Sequence, residues 1–225
     1  MKSILFILTN HADLGSTGKK TGYWISEVAH PYNHLKDHYK ITFASPKGGA
    51  SPVDPGSLAA HKDDAEVIAF LADPVAQKMV AETIVLSTLN VTDFDAVVYP
   101  GGHGPMYDLV SDATSHEFAS KAFESGKIVA ALCHGPAAIA DVKLSNGTYL
   151  VAGRRVTGFA NTEEDAVQLT PFMPFLLENK LKANGGFYSK EGDWASHVVV
   201  DGNLVTGQNP ASGLELAKKL HELLG

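Results

Sequence analysis

Uncharged apolar runs and polar, amphipathic stretches alternate along the chain. Ser3–Thr9 (SILFILT), Ile41–Ser45, Ala96–Tyr99 (AVVY) and Ile128–Leu132 (IVAAL) read as strands covered on both faces. Between them, Thr21–His38 sets Trp24, Ile25, Val28 and Leu35 on one side and predicts a helix, with Pro31 as the point where it kinks or restarts. Lys62–Thr88 reads as mostly helical with a break at Pro74, and Ser115–Ser125 as a helix stopped by Gly126. Arg155–Phe159 predicts a short strand, Glu163 a polar helical turn, and Phe172–Ala183 a helix stopped by Asn184 and Gly185. His197–Gly207 alternates around Asp201-Gly202 and predicts a hairpin, and Pro210–Leu224 closes the chain as an amphipathic helix. Asn10–Lys20 and Ser51–His61 read as loops. Strands alternating with helices imply an α/β fold, a parallel sheet with helices on both faces. No repeat, low-complexity tract or linker interrupts the pattern, so residues 1–225 are expected to form a single domain.

Composition narrows the function classes. With 44% hydrophobic residues the chain has the material for a sizeable core. Eighteen basic against 25 acidic side chains give a net charge of −7, which argues against a nucleic-acid partner. No apolar span is long enough for a membrane, and Ile4–Leu8 is too short for a signal peptide. A single cysteine leaves no internal disulfide framework, so a cytoplasmic protein is expected. Neither a GxGxxG nor a GxxxxGK[ST] pattern occurs, so no nucleotide cofactor is expected. His30, His34 and His38 fall at i, i+4 and i+8, but no carboxylate stands at a zinc spacing and Pro31 interrupts the run. The stripe reads as a surface feature, and no metal site is expected.

The chemistry concentrates at Ile128–Ala140, IVAALCHGPAAIA. Cys133 follows a buried strand directly, and Pro136 suits the first position of a helix. That places Cys133 on a sharp strand-to-helix turn, a nucleophile elbow. Free N–H groups at the helix start would favour a thiolate. Three other stretches can reach the same sheet edge. PGGHG (Pro100–Gly104) also follows a strand, and Gly101 and Gly102 could present N–H groups to an oxyanion. Glu27 lies on the first helix. The acidic cluster Glu163, Glu164, Asp165 could supply the acid that orients His134.

The segments TGYWISEVAHP (Thr21–Pro31), YPGGHGPMYDL (Tyr99–Leu109), AALCHGPAAI (Ala130–Ile139), VTGFANTEE (Val156–Glu164) and DGNLVTGQNPAS (Asp201–Ser212) resemble the DJ-1/PfpI superfamily, and within it the Hsp31-like branch of glutathione-independent glyoxalases. The resemblance implies a flavodoxin-like α/β sandwich, a triad of Cys133, His134 and Glu164, Glu27 beside the Cys133 sulfur, and an oxyanion hole from the Gly102 and His134 N–H groups. It also implies a homodimer. The implied activity is that of a glyoxalase III, or D-lactate dehydratase type, lyase converting methylglyoxal and related 2-oxoaldehydes to 2-hydroxy acids without metal, nucleotide or glutathione. The alternatives are a stress-induced holding chaperone or redox sensor with Cys133 oxidised, a cysteine amidase or peptidase, and a protein deglycase. At this length the full extra lid domain of the larger Hsp31 chaperones is not expected.

Overall fold

The computed structural model describes residues 1–225. In chain order the elements are β1 (Ser3–Ile7), α1 (Ile25–Leu35), β2 (Lys40–Ser45), α2 (Pro55–Ala60), α3 (Ala65–Ala72), α4 (Pro74–Ala81), β3 (Ile84–Val85), β4 (Ala96–Tyr99) and α5 (Ala113–Glu124). They continue as β5 (Ile128–Leu132), α6 (Ala137–Ala140), β6 (Arg155–Val156), α7 (Asn161–Ala166), α8 (Leu177–Ala183), β7 (Phe187–Tyr188), β8 (Val198–Asp201), β9 (Leu204–Gly207) and α9 (Gly213–Leu224). Seven strands form one sheet in the order β3-β2-β1-β4-β5-β9-β8, parallel throughout except for the β8/β9 hairpin. β6 and β7 pair in a small second sheet.

The uncharged strands are explained by two cores. Ile4, Phe6, Val98, Ala130 and Leu132 face α1, α3, α4 and α9, whereas Leu5, Ile7, Val97, Tyr99, Val129 and Ala131 face α5, α6 and α8. A strand buried on both faces has no position for a polar residue. The fold is therefore the parallel sheet covered on both faces that the residue pattern predicts, and the flavodoxin-like α/β sandwich that the resemblance implies.

Several element boundaries differ from the sequence reading. The first helix begins at Ile25 and not Thr21, because Tyr23 is held extended by backbone bonds to Pro52 and Asp54. It runs unbroken through Pro31 and stops at Leu35. Ser51–His61 is not all loop: α2 forms there, with Asp54 capping its first amides and Pro55 at its first position. The helix expected from Phe172 starts at Leu177, since Pro174 forces Met173 into an extended conformation. The strand expected over Arg155–Phe159 is only Arg155–Val156, and β3 lies inside the stretch expected to be helical.

Candidate active site

The chain order of the sheet reverses between β1 and β4, and the crevice beyond the carboxyl ends of the strands at such a switch point is where α/β ligand sites form. Three connections meet there: β1 leads to Glu27 on α1, β4 to Gly101 and Gly102, and β5 to Cys133. Cys133 has φ 58°, a left-handed conformation that costs a non-glycine residue about 1–3 kcal/mol. The surrounding backbone holds it there. The Cys133 N–H donates to Gly207 O at 3.0 Å, and its carbonyl accepts from Phe159 N–H at 2.8 Å. Gly102 is required by the same crowding: at φ 83°, a Cβ there would lie 2.3 Å from the Gly22 carbonyl oxygen. Neither the Gly102 nor the His134 N–H donates to a backbone carbonyl, and the Gly102 amide hydrogen-bonds the Cys133 sulfur.

His134 bridges the thiol and an acid. Its Nδ1 lies 3.5 Å from Cys133 Sγ, and its Nε2–H donates to Glu164 Oε2 at 2.6 Å. Phe159 packs against the imidazole, with ring centroids 4.3 Å apart. The neighbouring acid points elsewhere. Glu163 Oε1 accepts from the Trp194 N–H at 2.9 Å, Asn209 Nδ2 at 2.8 Å and Gln208 Nε2 at 3.1 Å, and Oε2 accepts from the Ala160 N–H at 2.9 Å. Of the acidic cluster, Glu164 faces the histidine, and Glu163 ties down the segment carrying Trp194. Glu27 is fully buried. Its Oε2 accepts from the Gly101 N–H at 2.7 Å, Oε1 has no nitrogen or oxygen partner, and the carboxyl hydrogen-bonds the Cys133 sulfur.

Burial governs the protonation of these groups. It pushes Glu27 up to about 8, against the opposing hydrogen bonds from Cys133 and Gly101, so the carboxyl is protonated at neutral pH. It also raises the Cys133 thiol, and the Gly102 amide opposes that rise. This corrects the thiolate expected from a helix N-terminus: α6 has only four residues, too few to offset desolvation. Burial lowers the His134 pKa, His103 lowers it further, and Glu164 opposes them, leaving a neutral imidazole with a free Nδ1 toward the sulfur. Burial would raise Glu164, but the hydrogen bonds from His134 and His103 outweigh it and hold the carboxylate ionised.

His103 is a buried member of the site that residue spacing did not single out. Its Nε2–H donates to the second Glu164 oxygen, Oε1, at 2.8 Å, and its ring lies 4.1 Å from that of His134. The only available signal was its place within PGGHG. Ligand atoms of His103, His134 and Glu164 lie within 4.8 Å of one another. Each Glu164 oxygen lies within hydrogen-bond distance of an imidazole Nε2, and the three side chains form one hydrogen-bonded triad. His30, outside the site, is bound to Asp64 at 2.8 Å. Above Cys133 lies a cavity of about 50 Å³, walled mainly by Trp24, His103, Phe159, Val167 and Trp194.

The sequence model of the DJ-1/PfpI family matches residues 22–223. Glyoxalase 3 of Candida albicans is 30% identical over 97% of this chain and 96% of its own length. The crystal structure of glyoxalase III from the same organism superposes with a TM-score of 0.90 at 27% identity, covering 98% of this chain and 96% of that one. The 24 kDa rapid encystment protein of Francisella tularensis superposes with a TM-score of 0.96 at 36% identity over the whole of both chains. The curated relatives also include the glutathione-independent glyoxalase HSP31 of Saccharomyces cerevisiae, 30% identical over 94% of this chain and 93% of its own length. The fold, the elbow and these likenesses agree, and the chain belongs to the DJ-1/PfpI family, alongside its Hsp31-like glutathione-independent glyoxalases.

Proposed function

We propose that the protein is a glutathione-independent glyoxalase that converts small 2-oxoaldehydes such as methylglyoxal, with water, to 2-hydroxy acids. One observation carries this reading: Glu27, Cys133, His134 and Glu164 form one continuous hydrogen-bonded line beneath a small, mostly apolar cavity. A cavity of about 50 Å³ suits a compact carbonyl compound and is far too small for a peptide, which disfavours a peptidase.

The proposed steps follow from the protonation states. Cys133 sulfur attacks the aldehyde carbon C1 while its proton passes to His134 Nδ1. The oxyanion is met by the Gly102 and His134 N–H groups, and the returned proton completes a hemithioacetal. His134 then takes the C1 proton as the Glu27 carboxylic acid protonates the C2 oxygen, which gives an enediol. Glu27 takes back the C1 hydroxyl proton, His134 delivers its proton to C2, and the result is a thioester. Water hydrolyses it, releasing the 2-hydroxy acid and the thiol. Cys133 supplies the sulfur that a soluble thiol would otherwise provide. Glu164 stabilises the imidazolium, and His103 steadies Glu164 from its other oxygen.

The test is lactate formation from methylglyoxal without added thiol. Wild type is expected to turn over, and Cys133→Ala to lose turnover with its fold unchanged. Turnover retained by Cys133→Ala overturns the covalent route.

A further inference from the structure

Trp24 forms part of the cavity wall, and one hydrogen bond fixes its indole. Its Nε1–H lies 3.1 Å from His61 Nε2. An indole N–H can only donate, so His61 Nε2 must be the unprotonated, accepting nitrogen, and the imidazole must be neutral with its hydrogen on Nδ1. That nitrogen faces Asp64 Oδ2 at 3.5 Å. Asp64 is itself fixed, capping α3 through Oδ1 and accepting from His30 Nε2 at 2.8 Å. Ser26 Oγ approaches His61 Nε2 at 3.2 Å and can also donate to it. The histidine is the C-cap of α2, and Ser57 on that helix accepts the Ile25 N–H, so α2 is tied to the start of α1 beside Trp24.

We propose that His61 is a positioning residue for Trp24, and that its neutral imidazole fixes the cavity wall on which the substrate's carbon chain packs. A protonated His61 would turn a second N–H toward the indole N–H, and the bond would be lost. The cavity is then expected to loosen as the pH falls through the His61 titration. The charged and titratable groups facing this ring are Asp64 at the start of α3 and His30 on α1. Burial lowers the His61 pKa from 6.5; Asp64 opposes that and His30 adds to it. The part concerning substrate rests on the glyoxalase reading, and the part concerning Trp24 does not.

The chain has two tryptophans, so Trp194→Phe leaves Trp24 as the sole indole reporter. In that background Trp24 emission is followed from about pH 8 to about pH 5, the range in which a histidine titrates. One transition is expected with a midpoint below 6.5, and it should vanish in both His61→Gln and His61→Phe. The glutamine amide can still accept the indole N–H but does not titrate. With Trp194 intact, His61→Phe should raise KM for methylglyoxal about fivefold, the effect of one neutral hydrogen bond, with kcat within about twofold. His61→Gln should keep the neutral-pH KM and lose the rise in KM on acidification that wild type shows. A transition that persists in His61→Gln, or an unchanged KM in a folded His61→Phe, overturns the proposal. If His61→Phe does not fold, the glutamine variant decides alone. If wild type fails to turn over methylglyoxal, the functional reading falls, and the emission titration still tests the link between His61 and Trp24.

Discussion

Glu27 and Glu164 are both buried carboxyl groups a few ångströms from the same Cys–His pair, and their surroundings give them opposite charge states. Glu27 has one backbone amide and a thiol for company, and stays protonated up to about pH 8. Glu164 has two imidazole N–H donors and stays ionised. Replacing Glu27 by Gln preserves the shape but removes the transferable proton, so kcat should fall by about 10²–10⁴. In wild type the active, protonated form disappears as the pH rises through about 8, so kcat/KM should decline there. On the acid side, protonation of His134 removes the base. A flat alkaline limb in wild type would contradict the role given to Glu27. Glu164→Gln turns an amide N–H₂ toward one imidazole N–H and should lower kcat by about 10³–10⁴. Glu163→Gln disturbs the donors that its carboxylate holds around Trp194 and should cost about 1–3 kcal/mol of stability with a much smaller effect on kcat. Steady-state kinetics and thermal melts of the two variants separate these outcomes. Alkylation of Cys133 by a small reagent should show a midpoint above the roughly 8.5 of a free thiol. A midpoint below that value would restore the thiolate reading.

At the scale of elements, the elbow works because β4 and β5 end side by side with no room between their loops. Gly102→Ala would force a Cβ to within 2.3 Å of the Gly22 carbonyl at a positive φ, moving the amide that faces the sulfur. Turnover is expected to drop at least tenfold, and a folded variant with normal kinetics would detach this amide from the reaction. The long buried strands and the hairpin were legible in the sequence because each carries its own signal: an uncharged run, or Asp-Gly between alternating positions. The two-residue strands β3 and β7 carry none and exist through their partners, whereas β6 was expected over a longer span than it has. α2 was overlooked although Asp54-Pro55 announces a helix start. Of the site, the Cys-His step could be placed from local pattern, whereas Glu164 and Glu27 followed from likeness to a family. The His103–Glu164 bond joins residues 61 apart, and the one between Trp24 and His61 residues 37 apart. Only the folded sheet brings such pairs together. The expected thiolate failed for a quantitative reason, since a four-residue helix supplies little field and complete burial opposes the charge.

For the whole molecule, the buried acid and base set opposing slopes of stability with pH. Folding raises Glu27 from 4.5 to about 8, so this group favours the folded state below about 4.5, and its contribution is lost as the pH rises toward 8. Folding lowers His134 and Glu164, so their contributions are present above their ordinary values of 6.5 and 4.5 and are lost on acidification. Thermal unfolding should therefore weaken at both ends. Glu27→Gln should remove the Glu27 part of the alkaline loss, leaving that of Cys133, and give a higher Tm than wild type near pH 9; a melting curve that falls there as steeply as in wild type would exclude Glu27 as a cause. The sheet order has a further consequence for how the chain is made. β9 pairs with β5 although some seventy residues separate them, and Gly207 supplies the carbonyl that holds the Cys133 amide. A ribosome delivers β5 long before β9, so the growing chain carries β5 with one unpaired edge. Through that interval the thiol lacks both its clamp and its cover. A nascent chain halted before Val198 would present Cys133 to any alkylating reagent, and that reactivity would fade once synthesis passed Gln208 and the sheet could close.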